Sequence, residues 1–127
     1  MRLYQALIRS GTVAVLVVLC GCGDAVQRRA AELTGGDPGR GPAAMRHYGC
    51  GACHSIPGVA AARGQVGPLL DHIASRPTLA GELPNTPENL MRWIRDPQGI
   101  QPGTAMPTLG VTERDGRDIA AYLYTLR

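Results

Sequence analysis

The chain has 127 residues, which is enough for one small domain once a targeting segment is set aside. Its 13 basic residues are all Arg and face 10 acidic residues, for a formal net charge of +3. Removal of Arg2 and Arg9 with an export signal would leave +1, so no strongly basic, nucleic-acid-binding face is indicated.

The N-terminal segment has the pattern of an export signal. Arg2 and Arg9 precede an apolar run over residues 12–19, which is shorter than the roughly 20 residues that cross a bilayer. The run ends in the sequence LCGC, which resembles the signal of bacterial lipoproteins and implies that Cys22 is lipidated. An ordinary signal peptide and an uncleaved anchor are the alternatives. We therefore expect an exported protein, anchored to the membrane and facing the periplasm or the cell surface.

The segment after Cys22 contains several Gly and Pro residues and has no sustained apolar period apart from a short Ala-rich piece. Such a composition is typical of a linker. The predicted organisation is a lipoprotein-type signal peptide over residues 1–21, a flexible tether over residues 22–39 and a single domain over residues 40–127.

Two helical pieces are predicted in the first half of the domain. The first covers about residues 42–54. Its initial Pro is tolerated, because the backbone N–H that Pro lacks would have no intrahelical acceptor in the first turn. Gly49 and Gly51 weaken this helix locally. The second piece is short, covers residues 69–75 and is closed off by Pro77.

A third helix has clearer boundaries. Thr86 is the predicted N-cap, Pro87 takes the first helical position and Pro97 stops the helix. The residues expected to share its inward face are Leu90, Trp93, Ile94 and Pro97.

The last predicted helix starts at Thr112, has Asp115 as a capping partner and runs to the C-terminus. Its apolar stripe should pack against the first helix at Met45 and Tyr48, and this stripe consists of Ile119, Tyr122, Leu123 and Leu126. No segment alternates strongly enough to predict a strand. The predicted fold class is therefore all-α, with about four short helices and long loops.

The sequence CGACH at residues 50–54 has the spacing of a covalent haem attachment site. Two thiols separated by two residues can add across the vinyl groups of one haem, and the adjacent His then lies under the iron. We predict one covalent haem c, attached to Cys50 and Cys53, with His54 as an iron ligand.

A zinc knuckle and a redox-active dithiol are the alternatives for Cys50 and Cys53. Zinc would need a fourth ligand and usually a second Cys pair. If Cys20 leaves with the signal and Cys22 is acylated, only Cys50 and Cys53 remain. A thioredoxin-like dithiol would need a strand-rich fold, which the periodicity does not offer.

The second axial ligand has to come from a segment that reaches the opposite face of the haem. Met106 is the candidate, because Pro and Gly residues fix the surrounding loop over residues 102–107 and disfavour a helix. His54 and Met106 are therefore the predicted metal ligands. Helix packing or surface exposure better explains the remaining candidates, which are Met45, Met91, His47 and His72.

Three motifs together resemble the class I c-type cytochromes over about residues 40–127. They are CGACH at residues 50–54, GPL at 67–69, and NLMRWIRDP at 89–97 running on to PGTAMP at 102–107. In more detail, the chain is similar to the cytochrome c domain attached to subunit II of some haem-copper terminal oxidases. The resemblance implies a small cytochrome c fold around one covalent haem.

The resemblance also implies further haem contacts. The Pro68 carbonyl would accept the N–H of the axial His and fix the orientation of the ring. Trp93 would pack against the haem, and Thr104 or Arg76 could hydrogen-bond a propionate. The implied cofactor-binding residues are Cys50, Cys53, His54, Pro68, Arg76, Trp93, Thr104 and Met106.

Axial His and Met ligands fill both open iron positions and raise the reduction potential relative to two His ligands, which favours electron transfer over catalysis. We expect a non-enzymatic carrier that takes single electrons from a respiratory complex and passes them to a terminal cytochrome c oxidase. A cytochrome subunit fixed in a larger periplasmic dehydrogenase or oxidase is the alternative, and a catalytic or gas-binding haem is a third. The expected partners are redox proteins and, through the lipid anchor, the membrane; nucleic acid is not one.

Apolar side chains are scarce for a free-standing fold. The chain has no Phe, one Trp, 17 Gly and 10 Pro, and its domain is near the size at which cores become marginal. A bound haem would complete such a core. We therefore expect the protein without haem to be unfolded or molten.

Overall fold

The structure, a computed structural model, describes residues 23–127, and the predicted signal peptide and Cys22 lie outside this range. Within it the chain is mostly helical, which confirms the predicted class. The helices are α1 (residues 23–34), α2 (Gly41–His47), α3 (Pro87–Arg95), α4 (Pro97–Ile100) and α5 (Glu113–Leu123). None of these helices has the length and apolar character needed to cross a bilayer.

Two 3₁₀ turns and a small hairpin lie between α2 and α3. The turns are Cys50–Ala52 and Ile73–Ser75. The strands β1 (Thr78–Leu79) and β2 (Leu83–Pro84) pair in antiparallel orientation. No strand was expected here, because a two-residue strand is too short to show an alternating pattern.

The first two helical pieces are shorter than predicted. α2 ends at His47, and Gly49 then takes a φ of +72°, a left-handed conformation that a helix cannot continue through. In the second piece only Ile73–Ser75 is helical. His72 takes a φ of +48°, a left-handed conformation that interrupts a helix before Ile73. Arg76 Nη2 donates to the Leu69 carbonyl at 2.6 Å, so this carbonyl is satisfied outside a helix.

α3 and α5 begin where the sequence predicts. Thr86 Oγ1 accepts the N–H of Asn89 at 3.2 Å, and Thr112 Oγ1 accepts the N–H of Asp115 at 3.1 Å. α5 ends at Leu123 rather than at the C-terminus. Threonine caps thus define the starts of the two longest helices in the domain.

α5 is the central element of the core and packs against both α2 and α3. The predicted contact with the first helix is confirmed, since Met45 is 1% exposed and the Tyr48 hydroxyl donates to Asp115 at 2.8 Å. Gly41 permits the close crossing of α2 and α5, because a Cβ there would lie 2.7 Å from the Asp118 carbonyl. The buried apolar residues of the core include Met45, Ile56, Val59, Ile73, Leu79, Leu90, Ile94, Val111, Ile119 and Leu123.

The segment expected to be a flexible tether is helical in its first part. Residues 23–34 form α1, and Ala30 is 2% exposed as a member of the core cluster. Three Ala residues in α1 favour a helix. After the helix, the Asp37 N–H donates to Asp118 Oδ1 at 2.7 Å, which ties the chain to α5. From Ala30 onward this segment packs with the domain instead of forming a free linker.

Candidate haem site

The attachment sequence forms a tight turn directly after α2. Gly49 reverses the chain, Cys50–Ala52 form a 3₁₀ turn, and the His54 N–H donates to the Cys50 carbonyl at 3.0 Å. Both thiols are partly exposed, and neither forms a disulfide within residues 23–127. Burial raises the pKa of the Cys50 thiol. One short segment thus presents Cys50, Cys53 and His54 together.

The loop that follows is hydrogen-bonded back onto this turn. The Gly64 N–H donates to the Gly51 carbonyl at 3.0 Å, and the Gly67 N–H donates to the Cys53 carbonyl at 2.8 Å. The crossing requires glycine, because a Cβ on Gly51 would lie 2.8 Å from the Ala62 Cα. The backbone of the attachment turn is therefore held by its own succeeding loop.

The His54 ring is held in one orientation by its neighbours. Nδ1 lies 2.7 Å from the Pro68 carbonyl oxygen, which can only accept, so Nδ1 carries the proton. Gly67 lies against the ring, and a Cβ there would lie 2.7 Å from Nδ1. The lone pair of the neutral ring is then on Nε2, as coordination of a metal requires. The resemblance implied the contact with Pro68, whereas the steric role of Gly67 was not anticipated.

Met106 is half-buried in the loop between α4 and α5. Gln98 on α4 donates from Nε2 to the carbonyl oxygens of Thr104 and Met106, at 2.7 and 2.8 Å. The Gln98 Oε1 accepts the N–H of Gly103 at 3.1 Å. Gln98 was not predicted as a site residue, because a glutamine in a one-turn helix gives no sign of the loop that it contacts.

The other residues implied by the resemblance lie on three separate segments. Trp93 is half-buried on α3, and Thr104 is half-buried in the loop that carries Met106. Arg76 uses Nη2 to bond the carbonyls of Leu69 and Asp71, at 2.6 and 2.8 Å. Arg76 thus braces the loop that follows Pro68, and its contact with a propionate stays a prediction.

The histidines and methionines set aside as ligands occupy different surroundings. Met45 is fully buried in the core, and Met91 packs against the core from α3. His47 and His72 are exposed to solvent. These placements agree with packing and surface roles.

Exposed apolar side chains occur in the two loops that carry the Pro68 carbonyl and Met106. Val66 is 75% exposed, Leu69 is 46% exposed and Leu109 is 39% exposed. These apolar side chains are available to pack against a hydrophobic group, as a haem would be. Two thiols, an oriented imidazole and apolar flanking loops are together the residues that a haem needs, so the donor set fits that cofactor.

Comparison with known proteins agrees with this fit. The family model described as cytochrome c matches residues 39–127, which leaves α1 outside the match. Cytochrome c oxidase subunit 2 of Alkalihalophilus pseudofirmus is 38% identical over 79 residues, covering 61% of this chain and 22% of the relative. Cytochrome c oxidase subunit 2 of Bacillus sp. (strain PS3) is 32% identical over 88 residues, covering 66% of this chain and 25% of the relative.

The chain thus spans about a quarter of the length of these two curated relatives. No solved structure matches the chain significantly. The family match covers well over half of the chain and includes the attachment turn, the His54 loop and the Met106 loop. The chain therefore belongs to the cytochrome c family, as a class I c-type cytochrome that binds haem and transfers electrons.

Proposed function

We propose that the chain carries one haem c, linked to Cys50 and Cys53 and held at the iron by His54 and Met106. The orientation of His54 is the observation that carries this proposal. Its Nδ1 donates to the Pro68 carbonyl, which leaves Nε2 as the ring nitrogen for the iron. When bound, the haem supplies one-electron oxidation and reduction.

Two residues of the chain would tune the reduction potential of the haem. The Pro68 carbonyl fixes the His54 tautomer and raises the basicity of the ring. A thioether at Met106 favours the reduced state and raises the potential relative to a second imidazole. If His54 and Met106 were both ligands of the iron, they would leave it no position for a substrate. The arrangement suits a carrier rather than a catalyst.

Covalent attachment is tested by denaturation. The haem should stay with the chain through denaturing electrophoresis and acid-acetone extraction, because thioether bonds survive unfolding. Cys50→Ser together with Cys53→Ser should release it. Extraction of the haem from the unsubstituted protein would contradict the proposal.

We further propose that the electron acceptor is a terminal cytochrome c oxidase. The support is that both relatives are cytochrome c oxidase subunit 2, and that the present chain resembles about a quarter of each. The same likeness favours a second candidate, a cytochrome subunit fixed within a larger dehydrogenase or oxidase complex. In either case the contact that transfers the electron needs only a small area.

Kinetics and purification separate the two candidates. A free carrier should reduce a purified terminal oxidase in stopped-flow mixing, with a rate proportional to its concentration. A fixed subunit should co-purify in constant stoichiometry from membranes solubilised in mild detergent. Failure of both experiments would exclude an oxidase as the partner.

We propose that the protein is exported and lipid-anchored at Cys22. The support is the LCGC sequence after a short apolar run. Since residues 23–34 are helical, the anchor would be followed by a helix rather than by a flexible linker. Cys22→Ser should move the protein from the membrane fraction to the soluble fraction. An unchanged membrane fraction would contradict the lipid anchor.

A further inference from the structure

The side chain of Gln98 closes the loop that carries Met106. Its Nε2 has two hydrogens, and the carbonyl oxygens of Thr104 and Met106 accept one each, at 2.7 and 2.8 Å. Its Oε1 accepts the N–H of Gly103 at 3.1 Å. A flipped amide would set its oxygen against two carbonyl oxygens, so the three partners define one orientation.

The position from which Gln98 reaches the loop is itself fixed. The preceding Pro97 is fully buried at the start of α4. Asp96 caps this one-turn helix, with its Oδ1 accepting the N–H of Gly99 at 2.9 Å. The Thr104 N–H also donates to the Gln101 carbonyl at 3.1 Å, so the loop returns directly onto α4. Gln98 therefore connects the buried N-terminus of α4 to the Met106 backbone.

The rest of the loop has few hydrogen bonds of its own. Gly103 takes a φ of +85°, which only glycine adopts readily. Within the described residues, the backbone hydrogen bonds outside helices and strands include none from residues 105–111. Without Gln98, the backbone on the N-terminal side of Met106 would keep one hydrogen bond, that of Thr104 to Gln101. The polar contacts that fix the position of the Met106 backbone thus come largely from the side chain of Gln98.

We propose that Gln98 is a positioning residue that keeps the Met106 thioether on the iron by holding the 103–106 backbone. This inference rests on the proposed ligation by Met106. Loss of the three hydrogen bonds raises the fraction of molecules in which Met106 has left the metal. A competing ligand binds only to that fraction, so its apparent affinity rises in proportion. The effect is largest in the oxidised protein, because thioether is the weaker ligand for ferric iron, and the reduction potential therefore falls.

The test compares Gln98→Leu with Gln101→Leu in the intact holoprotein. Gln101 is an exposed glutamine directly after α4, and its side chain forms no hydrogen bond within residues 23–127. Gln98→Glu paired with Gln101→Glu is the second set, because Glu keeps the size of the side chain and the two Glu variants carry the same charge change. The probe is imidazole, titrated into the ferric protein, with the reduction potential and amide exchange at Gly103 measured in parallel.

For Gln98→Leu we expect imidazole to bind about tenfold more tightly, a size that corresponds to the loss of one or two net hydrogen bonds. The potential should fall and the Gly103 amide should exchange faster, while both Gln101 variants match the unsubstituted protein. Equal imidazole affinity in the Gln98 and Gln101 variants would overturn the inference and leave the ligation intact. If the unsubstituted ferrous protein binds carbon monoxide freely, Met106 is not a ligand, and both proposals fail. Should Gln98→Leu not fold, Gln98→Glu decides by the same criteria.

Discussion

The His54 ring is held by Gly67 and Pro68, two residues of the loop that follows it. The Pro68 carbonyl bonds its Nδ1 at 2.7 Å, and the missing side chain at Gly67 leaves room for the ring. The attachment turn just before it is held by the Gly64 and Gly67 amides. A ligand fixed in this way loses little side-chain freedom when it binds a metal.

Gly67→Ala tests whether the absence of a side chain at Gly67 positions the His54 ring. The added methyl group would overlap the His54 ring and displace it, since the Cβ would lie 2.7 Å from Nδ1. We expect less haem per chain after expression and a lower potential in the protein that matures. The measurements are the haem-to-protein ratio and a redox titration. Gly23→Ala is the control, because a Cβ there meets no atom of residues 23–127 within 4 Å. Equal haem content in both variants would contradict this role of Gly67.

Asp118 is the most deeply buried carboxylate in the described chain, with a side chain that is 3% exposed. Burial opposes its ionisation, but hydrogen bonds from Arg40 and from the Asp37 N–H outweigh burial and lower the pKa of Asp118. The folded state therefore binds fewer protons than the unfolded state. The resulting stabilisation is fully present above the unfolded value of about 3.9 and is lost as the pH falls through the folded pKa.

Asp118→Asn should destabilise the protein at neutral pH and reduce the loss of stability in acid. The dependence of the free energy of unfolding on pH should be reduced rather than abolished, because Asp115 also contributes to it. The hydrogen bond from the Tyr48 hydroxyl lowers the pKa of Asp115. Urea unfolding at pH 7 and below pH 4 measures both effects. Glu82→Gln is the control, since Glu82 is exposed and forms no salt bridge in residues 23–127. An acid slope equal in the two variants would argue against a role for Asp118.

Residue chemistry explains which parts of the site were predictable. The attachment sequence is recognisable because covalent attachment needs two thiols at one spacing and the iron needs an adjacent His. Met106 is recognisable because Pro and Gly isolate it in a loop. Gln98 and Gly67 were not predicted as site residues. Their roles depend on which segments fold together. A single glutamine or glycine in the sequence does not indicate which residues it will contact in the fold.

Among the secondary-structure elements, α5 has its N-terminus held by hydrogen bonds with two side chains. Thr112 caps the helix through the Asp115 N–H, and the Tyr48 hydroxyl donates to the Asp115 carboxylate and accepts the Thr112 N–H at 3.3 Å. The end of α2 is thereby joined to the start of α5. Met45 of α2 and Ile119 and Leu123 of α5 then lie in the same buried core.

Thr112→Ala removes the cap and should lower the free energy of unfolding by about 1 kcal/mol. The matched control is Thr108→Ala, at an exposed threonine of the same loop whose hydroxyl has no hydrogen-bond partner in the described chain. Urea denaturation monitored by circular dichroism gives both values. Equal destabilisation by the two substitutions would mean that the cap contributes nothing.

The predictable elements are those with local signals. α3 and α5 were located from threonine caps and an apolar period, which act within a few residues. The packing of α1 and the early end of α2 were missed. α1 acquires its place through Ala30 in the core and through the bond between Asp37 and Asp118, contacts between residues far apart in sequence.

At the scale of the whole molecule, the polypeptide core is small. The buried apolar residues are mostly Ala, Ile, Leu and Val, and Val66, Leu69 and Leu109 are exposed in the loops of the site. A haem packed between these loops would supply apolar contacts that the chain lacks. The cofactor is then part of the fold as well as the centre of electron transfer.

Expression without haem attachment tests this dependence. Cys50→Ser with Cys53→Ser should give a chain that retains helix in the far-ultraviolet circular dichroism spectrum but loses its near-ultraviolet signal and its cooperative thermal transition. Ala60→Ser, at an exposed position of the following loop, is the control for a single hydroxyl. A cooperative transition in the haem-free chain, at the temperature of the holoprotein, would contradict a structural role for the cofactor.

A redox titration together with carbon monoxide binding tests the ligation by His54 and Met106. It compares the unsubstituted protein, Met106→Ala and the packing control Met91→Leu. We expect a high potential and no carbon monoxide adduct for the unsubstituted protein and for Met91→Leu. For Met106→Ala we expect a lower potential and ready carbon monoxide binding, because the iron would then lack one ligand. The same potential and the same lack of an adduct in Met106→Ala would contradict His54 and Met106 as the ligands of an electron carrier.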